Sequence, residues 1–315
     1  MSAPAPDTPA LHGRAGVVTG SSRGLGRAFA LSLARAGMAV VLNGTDAESL
    51  RETARAVERA GGSCRTVVGS VADQAVCDAL VETCVREFGR IDVLVNNAGI
   101  VRDRSVLKMT ADEFDEVLAV HLRGTWACSV AAGRHLRRHG GGSIISIGSG
   151  SGQYGVFGQA NYAAAKAGIA GLNRVLDLEL GRHGVRCNVL APVARTRMTD
   201  VFRAGGTAPG HALSFPEPDD VAPVVVWLAS DGARHVTGQF LSFDGTELSV
   251  WTHPRPAVTV RHTPGAWTGD LFARALTEDV LEHPHPDKWG ASVLPPPAQA
   301  AGPDHHTQET PDAAH

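Results

Sequence analysis

The chain has 315 residues, 43% hydrophobic and 19% charged, with a formal net charge of −3. That length can bury a large core, and the near-neutral balance argues against a nucleic-acid or membrane-surface role resting on bulk electrostatics. No stretch approaches the roughly 20 apolar residues of a membrane-spanning helix, and the N-terminal MSAPAPDTPALHG lacks the basic-then-apolar layout of a signal peptide. Five cysteines, without a CxxC or a histidine spacing suited to zinc, fit buried thiols in a reducing compartment. The expectation is a cytoplasmic protein that needs neither a disulfide nor a metal ion.

Residues 1–13 form a Pro/Ala-rich tail, expected to be disordered. A short apolar strand over Gly16 to Thr19 then runs into Gly20-Ser-Ser-Arg-Gly24-Leu-Gly26, and an apolar-periodic helix follows through Ala36. Strand, glycine turn and helix make a cradle for a dinucleotide phosphate. Glycines let the backbone pass close to a pyrophosphate, and the free amides and positive dipole end of the helix face its charge. A second strand, Met38 to Asn43, completes the βαβ unit that such a turn requires. An NAD site places Asp or Glu after that strand to hold the ribose hydroxyls, whereas NADP needs a cation for its 2′-phosphate. Here Asn43-Gly44-Thr45 carries no acid before Asp46, and Arg23 lies inside the glycine turn, so the residues favour NADP(H) over NAD(H).

The alternation continues with a helix over Ala47 to Ala60, a strand over Arg65 to Val68, a helix over Asp73 to Phe88 and a strand over Ile91 to Val95. The last of these runs into Asn96-Asn97-Ala98-Gly99, small and amide residues at the kind of strand edge where open parallel sheets bind ligands. Two helices follow, near Ala111 to Val120 and Thr125 to Arg138.

Next comes GGGSIISIGSGSGQYGVFGQANYAAAK, residues 140–166. A β-branched strand ends at Ser149, Tyr162 stands thirteen positions later, and Lys166 four beyond that. On a helix beginning near Gln159, phenol and ammonium project from one face, where the strand-end hydroxyl of Ser149 can meet them. A neighbouring cation favours the phenolate and draws the tyrosine pKa toward working pH, as a general acid/base requires. Val185 to Leu190 reads as a sixth strand and Gln239 to Phe243, closing on Asp244-Gly245, as a seventh.

In this order and spacing, TGSSRGLG (19–26), NNAG (96–99), Ser149, Tyr162 and Lys166 resemble the short-chain dehydrogenase/reductase family over roughly residues 14–248. The resemblance implies a doubly wound, seven-stranded parallel α/β sheet of Rossmann type that binds NAD(P)(H). It also implies that Tyr162 exchanges the proton at the substrate oxygen, Ser149 hydrogen-bonds the carbonyl or alcohol, and Lys166 holds the nicotinamide ribose and acidifies the tyrosine. Gly20, Ser22, Arg23, Gly24, Leu25, Gly26 and Asn43 would surround the phosphates and ribose, Val71 the adenine, and Asn97, Ala98 and Gly99 the adenosine half. Pro192, Val193 and Ala194 would complete the cofactor site.

GRIDVLVNNAGIVRDRS (89–105), VHLRG (120–124), FGQANYAAAK (157–166) and the Ala191 to Thr199 segment resemble most closely the (3R)-hydroxyacyl-CoA dehydrogenase domain of peroxisomal multifunctional enzymes and its bacterial relatives. That branch has an acidic residue where Gly44 stands, and a longer loop beyond it. His121 occupies the position at which family members carry an asparagine that helps hold a proton-relay water. It is either a further catalytic group, relaying protons by tautomer exchange, or a buried spacer on the backbone. Ser70-Val71 stands where many relatives have Asp-Val.

Arg195 to Asp219 loses periodicity and reads as a substrate-covering loop. Residues 249–292 form an extension packed on the domain or on a neighbouring subunit, with extended chain over Ser249 to Val260 and a short helix over Asp270 to Glu282; residues 293–315 are a low-complexity tail expected to be disordered. The functional expectation is an NADPH-linked ketoreductase that interconverts a ketone and a secondary alcohol on a bulky small molecule. The alternatives are an NAD-dependent (3R)-hydroxyacyl-CoA dehydrogenase and, from another class, a non-catalytic dinucleotide-binding scaffold or sensor. The family's usual assembly implies a homotetramer or homodimer.

Overall fold

The computed structural model describes residues 10–194, 216–256, 258–261, 263 and 268–276. Its strands are β1 Ala15–Val18, β2 Ala39–Gly44, β3 Cys64–Val68, β4 Val93–Asn96, β5 Gly142–Ile147, β6 Val185–Pro192, β7 Phe240–Phe243 and β8 Leu248–Val250. They form one sheet in the order β3-β2-β1-β4-β5-β6-β7-β8. The first seven are parallel, as the alternation of strand and helix dictates, and β8 adds to β7 in the antiparallel sense. The eighth strand lies in the segment expected only to be extended. Its three residues carry no alternation of their own, and the partner edge of β7 decides their pairing.

The helices are α1 Gly24–Arg35, α2 Ala47–Arg59, α3 Gln74–Phe88, α4 Ala111–Leu118, α5 Gly124–Leu136, α6 Ser151–Tyr154 and α7 Ala160–Leu180, with shorter pieces at Pro218–Val221, Pro223–Ala229 and Gly269–Ala275. Neighbouring strand residues face opposite layers. Val18, Val40, Val95 and Ile145 pack with Phe29 and Leu33 of α1 on one side. Val17, Val41, Leu94 and Ile144 pack with Leu80 of α3 and Leu136 of α5 on the other. These strands are apolar on both faces because helices cover both.

Two expected boundaries change in ways that bear on function. The helices expected near 111–120 and 125–138 join through a π-helical turn, Ala119–Arg123, that contains His121. Such turns insert a residue and are frequent at functional sites. The second change is α6, unforeseen because its four residues hold two small side chains and no apolar period. The expected covering loop lies outside the described residues over 195–215, as do residues 1–9 of the N-terminal tail, the helix beyond 276 and the C-terminal tail; the end of the tail expected to be disordered over 1–13 is instead anchored, with Leu11 fully buried and its amide donating to the Ala36 carbonyl at 2.7 Å.

The order reverses between β1 and β4, both of which end on the same edge, and a crevice opens where such a reversal occurs. The loop after β4 is stitched to the start of α7. The fully buried Asn161 donates from Nδ2 to the carbonyls of Arg102 and Glu113, each at 3.0 Å, and the Arg104 amide donates to the Gly158 carbonyl at 2.8 Å. Replacing Asn161 with Leu strands two acceptors. The expected loss is about 2–4 kcal/mol of unfolding free energy, measured by urea denaturation.

Candidate active site

The glycine turn is built for close approach. Gly20 has φ 63°, and a Cβ there would lie 2.6 Å from Ala98 Cα. One at Gly26 would collide with the Gly20 carbonyl and the Asn97 amide. Helix α1 begins at Gly24 after an extended Arg23, with no side-chain cap and no acid in its first turn, so its leading amides are left for an anion. Beside it, Ser22 Oγ is buried and has no partner among the described residues, and a Cβ at Gly44 would overlap it. The cradle therefore fits a dinucleotide phosphate, with Arg23 exposed at its rim.

Not every expected cofactor residue offers its side chain. The Asn43 amide is spent within the protein, accepting from the Gly20 amide at 3.2 Å and donating to the carbonyls of Val67 and Gly69. Asn97 Nδ2 likewise donates to the carbonyls of Thr19 and Gly20, at 2.9 and 3.0 Å. Both residues shape the turn: the Asn43 backbone amide donates to Ser21 Oγ at 2.9 Å, its carbonyl accepts from the Ser21 amide at 2.7 Å, and the Asn97 backbone amide donates to Thr19 Oγ1 at 2.9 Å. Leu25 is half-buried in the first turn of α1, behind Gly24. Val71 packs against Gly124 behind the β3 edge, and Pro192, Val193 and Ala194 end β6 on the same side as Ala98 and Gly99 end β4.

The catalytic candidates converge at the end of β5. Lys166, 3% exposed, donates from Nζ to the Ile147 carbonyl at 2.6 Å and stands 5.4 Å from the centre of the Tyr162 ring. Ser149 follows that strand, its Oγ accepting from the Ser151 amide at 3.2 Å. The His121 ring meets Tyr162 edge-on at 5.2 Å between centres. Ser149, Tyr162, Lys166 and His121, scattered over forty-six positions, thus share one pocket.

Electrostatics there are ruled by burial. Desolvation pushes the Tyr162 phenol up to about 12, the Asp103 carboxylate pushes in the same direction, and a hydrogen bond with Ser149 opposes both. Desolvation alone brings Lys166 down to about 7. The expected acidification of the phenol by Lys166 is therefore not what the pocket displays: a buried amine sheds charge, so it has less to lend its neighbour.

His121 is brought down to about 3, first by burial, then by the Lys166 charge. Its Nε2 lies 3.0 Å from the Ile100 amide nitrogen and 2.8 Å from the Ile100 carbonyl oxygen, and Nδ1 has no partner among the described residues. The ring is held neutral and meets the backbone through Nε2.

Reasoning from sequence missed three groups. Asp103 takes a hydrogen bond from Gln159 Nε2 at 3.1 Å and sits close enough to raise the Tyr162 pKa. Tyr154 lies beside Gly150 on α6. An apolar hollow of about 350 Å³ is lined by Val106, Leu107, Val156, Phe157 and Ala160 next to the start of α7. The exposed Leu107 and Phe157 could have signalled it, since loop residues of that size have no core to serve. Among the described residues no group of three or more His, Cys, Asp or Glu could hold a metal ion, and no helix is long and apolar enough to cross a membrane.

Comparison with known proteins agrees with this geometry. The short chain dehydrogenase family model matches residues 14–205. The short-chain reductase protein NovJ of Streptomyces niveus is 44% identical over 241 residues, 73% of this chain and 92% of that protein. The hydroxyacyl-CoA dehydrogenase ChsB1 of Mycobacterium tuberculosis is 40% identical over 262 residues, 79% of this chain and 82% of that one. A crystal structure of a short chain dehydrogenase from Mycobacterium avium superimposes with a TM-score of 0.71 at 38% identity, covering 84% of this chain and 95% of the other. With the glycine cradle, the reversed strand order and the Ser149, Tyr162 and Lys166 cluster in one fold, the chain belongs to the short-chain dehydrogenase/reductase family of oxidoreductases.

Proposed function

We propose that the protein is an NADPH-linked ketoreductase acting on a bulky small molecule. The observation that carries this reading is the meeting of Ser149, Tyr162 and Lys166 beside a glycine cradle. A mere dinucleotide binder has no use for a phenol, a hydroxyl and a buried amine in one pocket. The residues that would hold the cofactor are Gly20, Ser22, Arg23, Gly24, Leu25 and Gly26 at the phosphates, Asn97, Ala98 and Gly99, and Val71, Pro192, Val193 and Ala194 at the flanks, with Tyr162 and Lys166 beside its reactive end; Asn43 shapes the turn behind them. Bound there, the reduced nicotinamide supplies the hydride. Tyr162 donates the proton to the carbonyl oxygen, Ser149 orients that oxygen by hydrogen bonding, and Lys166 holds its place against the Ile147 carbonyl. His121 fixes the Ile100 backbone and the edge of the Tyr162 ring.

Arg23 and the absence of an acid at Gly44 support NADP(H) over NAD(H). The apolar hollow at Val106, Leu107 and Phe157, opening beside Tyr162's helix, supports a bulky substrate. A second reading, an NAD-linked (3R)-hydroxyacyl-CoA dehydrogenase, is favoured by the VHLRG and GQANYAAAK segments and the similarity to ChsB1. Exposed Trp126 on α5, with Val175 and Leu178 on α7, supports pairing of those helices in a homodimer or homotetramer, and five buried free cysteines support a reducing, cytoplasmic setting.

Following NADPH and NADH absorbance with an aryl β-keto ester and with acetoacetyl-CoA separates the two readings: the ketoreductase consumes NADPH with the first. Tyr162→Phe should lower kcat by about 10²–10⁴-fold while NADPH fluorescence on binding is unchanged. Arg23→Ala should weaken NADPH about 10–100-fold relative to NADH, measured as Kd. His121 adds a pH signature. Its folded pKa of about 3 lies below the ordinary 6.5, so stability is intact above 6.5 and is lost as pH falls toward 3. Urea midpoints of His121→Asn should therefore fall less than those of the wild type between neutral pH and pH about 4.

A further inference from the structure

The segment after β7 reaches back to the catalytic serine. Trp251, the first residue past β8, donates its backbone amide to the Phe240 carbonyl at 2.9 Å and its indole Nε1–H to Ser242 Oγ at 3.2 Å, which fixes both the position and the rotation of the ring. That ring stacks on Tyr154 at 6.4 Å between centres, with 27° between planes, and meets Phe240 edge-on at 5.6 Å.

The two aromatic partners of Trp251 lie against the two glycines that flank Ser149. A Cβ at Gly148 would approach Phe240 Cζ to 3.2 Å, and one at Gly150 would come within 2.5 Å of the Tyr154 hydroxyl oxygen. Ser149 therefore sits on a strand-end loop gripped from both sides, and the indole joins the two sides of the grip. Glycines at 148 and 150 allow the rings this close, but they also leave the loop's own backbone permissive. Hydrogen bonds from the Gly148 amide to the Leu190 carbonyl at 2.7 Å and from the Gly152 amide to the Ser149 carbonyl at 3.1 Å set its path, and the two rings add packing from outside.

We infer that Trp251 is a positioning residue for Ser149, acting through Tyr154 and Phe240, so that the segment following the seven parallel strands is part of the active-site machinery. The inference rests on the proposed role of Ser149 and adds to it. Ser149's hydroxyl must meet the same carbonyl oxygen as the Tyr162 phenol, and displacement by a fraction of an ångström spoils such a geometry. Trp251 packs on the two rings beside the Ser149 loop, so its loss is expected to change the placement of Ser149 and to leave NADPH affinity unchanged.

The test uses the full chain, with crystals of wild type, Trp251→Ala and Trp251→Phe grown with NADP⁺, and kinetics on the aryl β-keto ester with NADPH. Expected are a displaced or multiply placed Ser149 in Trp251→Ala, its return in Trp251→Phe, and a kcat about tenfold lower for the alanine variant with unchanged NADPH Kd. In a Ser149→Ala background, Trp251→Ala should cost nothing further, because its effect passes through a hydroxyl already removed. Leu248→Ala, on the exposed side of β8, should match wild type and serves as control for general damage to the extension. A Ser149 that superimposes on wild type in Trp251→Ala overturns the inference, as does an equal loss in both backgrounds. Full activity in Ser149→Ala by itself would instead overturn the assignment of Ser149, a separate failure. If the alanine variant does not fold, Trp251→Phe and Trp251→Leu carry the same comparison: Phe keeps the stack and should keep Ser149 in place, while Leu should not.

Discussion

A lysine amine buried to 3% exposure must find an acceptor inside the protein, and Lys166 finds the Ile147 carbonyl at 2.6 Å. This requirement organises the site. β5 ends at Ile147, so its last carbonyls are free of sheet partners on one side, and α7 must lie across that end for the lysine to reach one. Once α7 is placed, Tyr162, one turn earlier on the same face, falls beside Ser149 two residues past the carbonyl. The loop after β4 then closes on α7 through Asn161 and Gln159, bringing Ile100, and with it His121, against the phenol. An unpaired buried ammonium would be far more costly than any of these individual contacts, which is why the crossing of helix over strand end is so strongly fixed.

The parts of this arrangement written in local pattern were legible from residues alone. Two-sided apolar runs such as Val17-Val18, Val40-Val41 and Ile144-Ile145 announce strands covered on both faces. The glycine turn announces a close approach, and the Tyr162 and Lys166 spacing gives one helical face. What stayed hidden depends on distance in space. β8 is a strand only because β7 offers an edge, and α6 is a helix of four residues held by the Ser149 loop and the ring packed on it. The π turn at His121 has no signature in AVHLR. Charge was also hidden: composition places a lysine beside a tyrosine but says nothing of how far burial drains that charge, so the direction of the Tyr162 shift was misjudged.

The cofactor edge shows the same division. Residue type at Gly44 and Arg23 speaks to the adenosine phosphate, yet the structure assigns the conspicuous amides of Asn43 and Asn97 to the turn itself. Their value is indirect: by satisfying Gly20 and Thr19 they hold open a backbone cradle that would otherwise strand its own polar groups. Arg23 is not isolated there. It faces Asp46, the cap of α2, whose carboxyl lies below the ordinary range chiefly through its bonds to Ser49 and in smaller part through Arg23. The rim of the cradle therefore carries charge of both signs, Arg23 and Asp46, with Arg51 also acting on the carboxylate.

Burial sets the resting protonation of the site. A phenol held near 12 keeps its proton throughout physiological pH, which is the form that gives a proton to a carbonyl oxygen. Burial works on the Lys166 amine in the opposite sense, bringing it down to about 7, so its charge is harder to keep there than in water. The hydrogen bond with Ser149 works against the burial that raises the phenol, and so couples the serine hydroxyl to the proton that Tyr162 carries.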